Sequence, residues 1–219
     1  MLSNRKRVLV SVPNTGWIHK HVVFTLLKLQ KEKRHDLKII LPTHRPLENN
    51  LHHIIKDFIE GEYDFWLEID SDNPPINNPI DLVDYDRDII GLPTPIIHFD
   101  KNKLGEQPVY WGAYDYVKEK DAYRPHREME GLQRVDAISS GCFLISKRVF
   151  MNKEMRKGVF TRTLYEDGRV DKGTDISFCE RARKQGFEIY THYGYPCRHF
   201  NEIEINEMVE QFREFHKNN

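Results

Sequence analysis

Three things are scarce in this chain, and each scarcity removes a class of function. Cysteine is rare: Cys142, Cys179 and Cys197 are an odd and scattered set, so a disulfide framework is not expected and a reducing compartment is. Net charge is almost absent, with 33 basic against 34 acidic residues and a balance of −1. That balance gives no support to a non-specific nucleic-acid or membrane surface. Long apolar runs are missing as well, none approaching the roughly 20 residues needed to span a bilayer. Met1 to Arg7 leads into a short strand-like run rather than a signal-peptide core, and the expectation is a cytoplasmic protein. No internal repeat, low-complexity tract or linker divides the 219 residues, so one α/β domain is expected, its core supplied by the 39% hydrophobic and 11% aromatic content.

What is present is a regular alternation of strands and helices. Lys6 to Val12 reads as a strand ended by the turn Pro13-Asn14-Thr15-Gly16. Apolar residues from Trp17 to Leu27 recur at helical spacing, and basic residues from Lys31 to Arg34 suit the negative end of that helix. Leu37 to Leu41 is a second strand. Pro46 can open the next helix, whose buried stripe is Leu51, Ile54, Ile55, Phe58 and Ile59 and whose C-terminal cap is Gly61. The third strand follows, with Tyr63, Phe65, Trp66, Leu67 and Ile69 in one apolar run. This βαβαβ order calls for a parallel, doubly wound sheet with its strand exits on one edge.

The third strand ends in Asp70-Ser71-Asp72, where Pro74 and Pro75 stop the ladder because proline has no N–H to give. Two carboxylates at the carboxyl edge of such a sheet can share a divalent cation or bridge it to a diphosphate. The ordinary alternative is turn chemistry, which Asp favours in any case. A calcium loop fits poorly, since Pro75 takes the position that needs glycine. A dehalogenase-type phosphatase would carry its Asp-x-Asp on the first strand, not the third.

The second half of the chain is less regular. A short helix is expected over Pro79 to Tyr85 and a strand at Asp88 to Pro93. An inserted antiparallel region or lid follows over 93 to 137, then a strand at Ser139 to Ile145. Residues 151 to 172 are charged and irregular. A helix from Asp175 to Gln185, a strand at Phe187 to Thr191 and a last amphipathic helix from Glu204 to His216 complete the pattern. Three further candidates stand out here. His199 could complete a metal site as a neutral imidazole or be a surface histidine among the chain's eleven. Asp175 could be a general base or simply an acid in a helix's first turn, with Glu166, Asp167 and Asp171 as competitors. Trp111 and Tyr114 could form a platform for a sugar ring or be packing. His44, Arg45 and Asn50 lie at the mouth of the second strand, where a base or ribose would be held.

Taken in order and spacing, these signposts resemble the GT-A class of nucleotide-sugar glycosyltransferases, particularly small family-2-like members. The residues that carry the resemblance are Val12-Pro13, Arg45-Pro46…Asn50 and Phe65 to Pro75, then Ser140 to Ile145, Thr174-Asp175…Gly186 and Cys197-Arg198-His199. The compactness also looks like the stand-alone glycosyltransferase domains encoded by large algal viruses, which would place the protein in a host cytoplasm. The resemblance implies a Rossmann-like, three-layer fold with a mostly parallel central sheet and a small antiparallel C-terminal part. It also implies a nucleotide-binding half over about 1–92 and an acceptor and catalytic half over about 93–219. It implies hexose or deoxyhexose transfer from a nucleotide-diphosphate sugar, UDP-sugar favoured, to a hydroxyl on a glycan or glycoprotein. Mn²⁺ is the implied cofactor, with Mg²⁺ as the other candidate cation. By position Asp70 would contact the ribose or the metal, Asp72 and His199 would bind the metal, and Pro13, Thr15, Arg45 and Asn50 would line the base and ribose pocket. Asp175 stands where inverting members carry their base, but the family usually shows Glu-Asp there and this chain has Thr174-Asp175, which leaves inversion or retention open. A sugar-phosphate nucleotidyltransferase is the rival enzyme class, though it would normally carry a glycine-rich, basic loop after the first strand. A non-catalytic nucleotide-sugar or glycan-binding module is the other alternative.

Overall fold

The computed structural model describes residues 5–97 and 109–201, together with Val209, Arg213 and Lys217, which are helical and exposed. The rest of the helix expected over 204–216, and the end of the strand-like run Ile96 to Phe99, lie outside the described residues. In chain order the strands are β1 (Arg7–Ser11), β2 (Asp36–Ile40), β3 (Phe65–Ile69), β4 (Ile89–Gly91), β5 (Pro95–Ile97), β6 (Val109–Trp111), β7 (Ala113–Val117), β8 (Ala122–Pro125), β9 (Leu132–Val135), β10 (Ala137–Ile138), β11 (Cys142–Ser146), β12 (Thr163–Leu164), β13 (Val170–Lys172) and β14 (Ile189–His192). The α-helices are α1 (Lys20–Leu29), α2 (Leu47–Glu60), α3 (Lys147–Met151) and α4 (Thr174–Lys184), and Pro79–Tyr85 forms a 3₁₀ helix.

Seven strands build the central sheet in the order β2-β1-β3-β11-β4-β14-β9. The pairings β1·β2, β1·β3 and β4·β14 are parallel, while β11 lies antiparallel to both β3 and β4, and β9 to β14. Five strands therefore run one way and two the other, a mostly parallel sheet of Rossmann-like kind. Strand β11 was expected as a strand; its reversed direction between β3 and β4 is what the structure adds. Its consequence is that the start of β11 meets the end of β3, with Cys142 opposite Ile69.

The period-2 alternation of the strands sends residues to two separate cores. Val8, Val10, Leu67, Ile69, Ile90 and Leu144 face α1 and the 3₁₀ helix, while Leu9, Trp66, Ile89, Phe143 and Ile145 face α2, α3 and α4. Helices thus cover both faces, giving three layers. Trp66 is wholly buried among Phe58, Phe143, Phe150 and Phe160, and its indole N–H donates to Ser11 Oγ at 2.7 Å. Smaller antiparallel pieces, β5·β6, β10·β7·β8 and β12·β13, sit outside the central sheet. The first two account for the antiparallel character expected between 93 and 137.

One helix boundary moved, and one irregular stretch proved anchored, each for a physical reason. Helix α1 begins at Lys20 rather than Trp17, because the His19 ring accepts the His21 N–H and caps the helix there, leaving Trp17 exposed. The irregular stretch 151–172 is pinned to the core partway along: Met155, Val159 and Phe160 are buried and Phe160 stacks on Phe178 with centroids 4.6 Å apart.

Candidate functional site

The ends of β1, β2, β3, β4 and β14 and the start of β11 share one edge of the sheet, and the expected site residues gather along it. At its centre Asp70 follows β3, its N–H donating to Gly141 O at 2.9 Å. Gly141 is needed here because a Cβ would collide with the side chains of Asn73 and Thr94. Asn73 in turn donates to Asp72 Oδ1 at 2.5 Å. The Asp-x-Asp turn is therefore held from below by glycine and from the side by an amide.

The 196–200 segment then closes beside it. Ile76 N–H donates to Pro196 O, Arg198 N–H to Pro74 O and Phe200 N–H to Asp72 O, all at 3.0–3.1 Å, and Pro75 bridges Cys197. This clasp delivers His199 to Asp72 across more than a hundred residues of sequence. His199 Nδ1 lies 2.9 Å from the Pro95 carbonyl, and its Nε2 lies 3.8 Å from Asp72 Oδ2. A carbonyl only accepts, so Nδ1 carries a proton; Nε2 lies beside the Asp72 carboxylate and 3.3 Å from the Asn201 amide nitrogen, which donates to it when the ring is neutral. Imidazoles that ligate metals are oriented in this way by a second partner. Among the described residues no three His, Cys, Asp or Glu side chains converge as they stand into a group that could hold a metal ion. Asp72 and His199 form a pair only. The donor chemistry of that pair, a carboxylate and an oriented neutral imidazole, suits Mn²⁺ or Mg²⁺ bound with further oxygen ligands.

Asp70 is not in that pair because its carboxyl is engaged behind it. It shares a hydrogen bond with Glu68, a residue almost wholly buried in β3 whose Oε2 has no partner among the described residues. Burial first, and then the neighbouring Asp70 and Asp72 carboxylates, push Glu68 well above the usual carboxylate range. Glu68 therefore keeps its proton and donates it to Asp70. Asp70 is itself pushed up to about 7, chiefly by burial and next by the charge of Asp72, with a smaller contribution from Asp175. Glu68 was not singled out in the sequence, although an acid inside an apolar strand run is a signal that could have marked it.

Asp175 occupies the first turn of α4, following Gly173 as the N-cap. Its Oδ1 accepts the Ile176 N–H at 2.8 Å, so the helix-start role holds. Burial nonetheless raises its pKa, against backbone N–H groups of Ile176, Asp175 and Ser140 that lower it. Its charge also acts on both Asp70 and Tyr114. Tyr114 is mostly buried and pairs with Tyr110; burial leads the causes that raise its pKa. Of the competitors for Asp175, Glu166 and Asp167 are exposed on the β12–β13 turn, and Asp171 is exposed in β13, where it accepts from Thr163 Oγ1.

The four residues expected for the base and ribose pocket cluster at the exits of β1 and β2. Pro13 is buried, Thr15 and Arg45 are exposed, and Arg45 Nη2 donates to Thr15 O at 2.9 Å. Asn50, buried at the start of α2, donates to Pro42 O at 3.0 Å and leaves its Oδ1 without a partner among the described residues. Asn14 ties the two exits together through Val12 O and Pro42 O. Cys142 and Cys197, far apart in sequence, meet behind the clasp with their thiols hydrogen-bonded, and all three cysteines are free.

No family model matches this sequence, and no curated protein matches it. Solved structures do resemble it. The A197 protein from STIV matches with a TM-score of 0.60 at 15% identity, over 90% of this chain and 86% of that one. GalNAc-T7, solved with UDP, GalNAc and Mn²⁺, matches with a TM-score of 0.52 at 10% identity, over 91% of this chain but 44% of its own length. The inositol-1-phosphate CTP transferase from T. maritima aligns at 10% identity over 96% of both chains, but its TM-score of 0.44 is too low to argue from. At these identities the likeness is one of fold: an α/β chain built on a large, mostly parallel, Rossmann-like sheet.

Proposed function

We propose that this chain is a GT-A-type glycosyltransferase that moves a hexose or deoxyhexose from a nucleotide-diphosphate sugar, UDP-sugar favoured, to a hydroxyl of a glycan or glycoprotein. The observation that carries the reading is the His199–Asp72 pair, with the imidazole oriented by the Pro95 carbonyl so that its Nε2 edge lies beside the carboxylate. The fold likeness to a transferase solved with UDP and Mn²⁺ supports it. So does the spread of the remaining candidates along the carboxyl edge of the sheet, where open α/β folds bind nucleotides.

Asp72 and His199 would hold Mn²⁺ or Mg²⁺, with Asp70 available to the cation or the ribose once it turns from Glu68. When bound, the cation stabilises negative charge developing on the departing diphosphate. The remaining work falls to the chain's own groups. Pro13, Thr15, Arg45 and Asn50 hold the nucleoside, with the spare Asn50 Oδ1 as a fixed acceptor. Asp175 takes the proton of the acceptor hydroxyl as its oxygen bonds to the sugar carbon and the bond from that carbon to the diphosphate breaks. The raised pKa of Asp175 makes it a stronger base than an exposed carboxylate.

A calorimetric screen of UDP, GDP, CDP and their sugars, with and without Mn²⁺, tests the reading. Metal-dependent binding of at least one nucleotide diphosphate is expected. Absence of any such binding would sink it.

A further inference from the structure

The near-neutral charge of the whole chain conceals a local imbalance. The first 31 residues contain no acid at all, the earliest being Glu32. Helix α1 lies within this stretch and buries Val22, Leu26 and Leu29. Its opposite face is not polar. Val23, Phe24 and Leu27 project outward, 41%, 55% and 50% exposed, and Ile76 beside them is 50% exposed. Around this apolar strip stand Lys20, Lys28, Lys31 and Arg198, all exposed and with no ion-pair partner among the described residues. Further along the chain, Arg34 is by contrast taken up by Glu32 and Asp81.

These side chains border a groove of about 490 Å³, in which Lys28, Lys31 and Arg198 face Phe24, Leu27 and the Pro74–Ile76 turn. Cations beside exposed aromatic and aliphatic side chains, on a helix whose other face is already buried, are what an interfacial helix presents to lipid. On such a surface the apolar strip would enter the boundary of the acyl chains while the lysines meet anionic headgroups. The groove would then receive a headgroup phosphate. His21, at the groove's edge, senses the same positive field: its pKa is lowered, by desolvation first and then by Arg198, His19 and Lys20.

We propose that the outer face of α1, with Arg198 and Ile76, docks this protein on an anionic membrane surface. The groove is lined by the Pro74–Ile76 turn, two residues past Asp72, so docking would set the candidate site at the lipid boundary, within reach of an acceptor carried there. The inference does not depend on the sugar-transfer reading, and its test uses no nucleotide.

The test is co-sedimentation of the full chain with vesicles of phosphatidylcholine alone or with about one-third phosphatidylglycerol, at low and at 0.5 M salt. Binding to the anionic vesicles, weakened by salt and absent on neutral ones, is expected. Phe24→Ser with Leu27→Ser, and separately Lys28→Glu with Lys31→Glu, should each weaken binding at least tenfold while circular dichroism stays unchanged, since all four side chains are exposed. Absence of binding by the wild type overturns the proposal. So does wild-type binding by the apolar double variant, which would reduce the effect to loose charge adhesion, or by the Glu double variant. Sedimentation velocity supplies the remaining arm. A wild-type dimer that the Ser double variant converts to monomer, without vesicle binding, assigns the face to a second copy and also overturns it.

Discussion

At the scale of single residues, the candidate site is a set of acids whose ionisation opposes folding. Asp70 has its pKa raised from 3.8 to about 7 by burial and by Asp72. Folding therefore favours its protonated form. That stabilising contribution is complete below the unfolded value near 4 and is lost as pH rises to about 7. Glu68 and Asp175 shift in the same direction. In thermal melts the metal-free protein should accordingly lose stability across this window. Asp70→Asn should melt a few degrees higher than wild type at pH 8, at about 2–4 °C per kcal/mol for a chain of this size, and should respond less to Mn²⁺. A wild-type pH profile in that variant would assign the slope elsewhere. His199→Ala removes the oriented imidazole, and Mn²⁺ affinity should drop by about tenfold or more in calorimetry; an unchanged affinity removes His199 from the site. For Asp175→Asn, donor binding should persist while transfer falls by about 10² or more. Undiminished transfer would show that another group accepts the proton.

At the scale of elements, the site depends on the junction of β3, β11 and the 196–200 segment. Gly141 is the pivot, because Asp70 bonds to its carbonyl while Asn73 and Thr94 occupy the space a methyl group would need. Gly141→Ala must displace Asn73, and with it the amide that holds Asp72. The expectation is a loss of about 1–3 kcal/mol from overpacking, seen in denaturant unfolding, with a parallel loss of Mn²⁺ affinity. Unfolding that weakens while metal affinity stays intact would separate the packing of β11 from the geometry of the turn. The charged stretch 151–172 belongs to this scale too. Phe160 and Met155 anchor it to the core beside α4, and Arg162 reaches Glu48 on α2 at 3.0 Å. Any closure over the donor must therefore pivot about that anchor.

At the scale of the whole molecule, two cores on opposite faces of one sheet hold the edge that carries the candidate site. A ligand bound to the native edge and not to the unfolded chain stabilises the entire fold, by about 2.7 kcal/mol at a hundred times its dissociation constant. UDP with Mn²⁺ at that excess should raise the melting temperature by about 5–10 °C, whereas UDP with a chelator should not. An equal shift in both conditions would argue against a metal-bridged diphosphate.

Much of this was legible in the linear chain, and the reason is locality. Helical spacing in α1, α2 and α4, the apolar run of β3 and the proline stops after β1, β2 and Asp72 are short-range patterns. They determined the αβ alternation, the third-strand position of Asp70 and Asp72, and the exits where Arg45 and Asn50 stand. Direction and proximity across the sheet were beyond that reach, because they depend on which distant segments pair. Only tertiary structure reversed β11, brought Cys142 to Cys197, closed 196–200 against 72–76 and set His199 between the Pro95 carbonyl and Asp72. It also showed Glu68 bonded to Asp70, an acid that the sequence leaves looking like one more residue of a strand. Composition behaved likewise: a balance of −1 was true of the chain, yet folding separated the charges. On the outer face of α1 it left lysines with no ion-pair partner among the described residues.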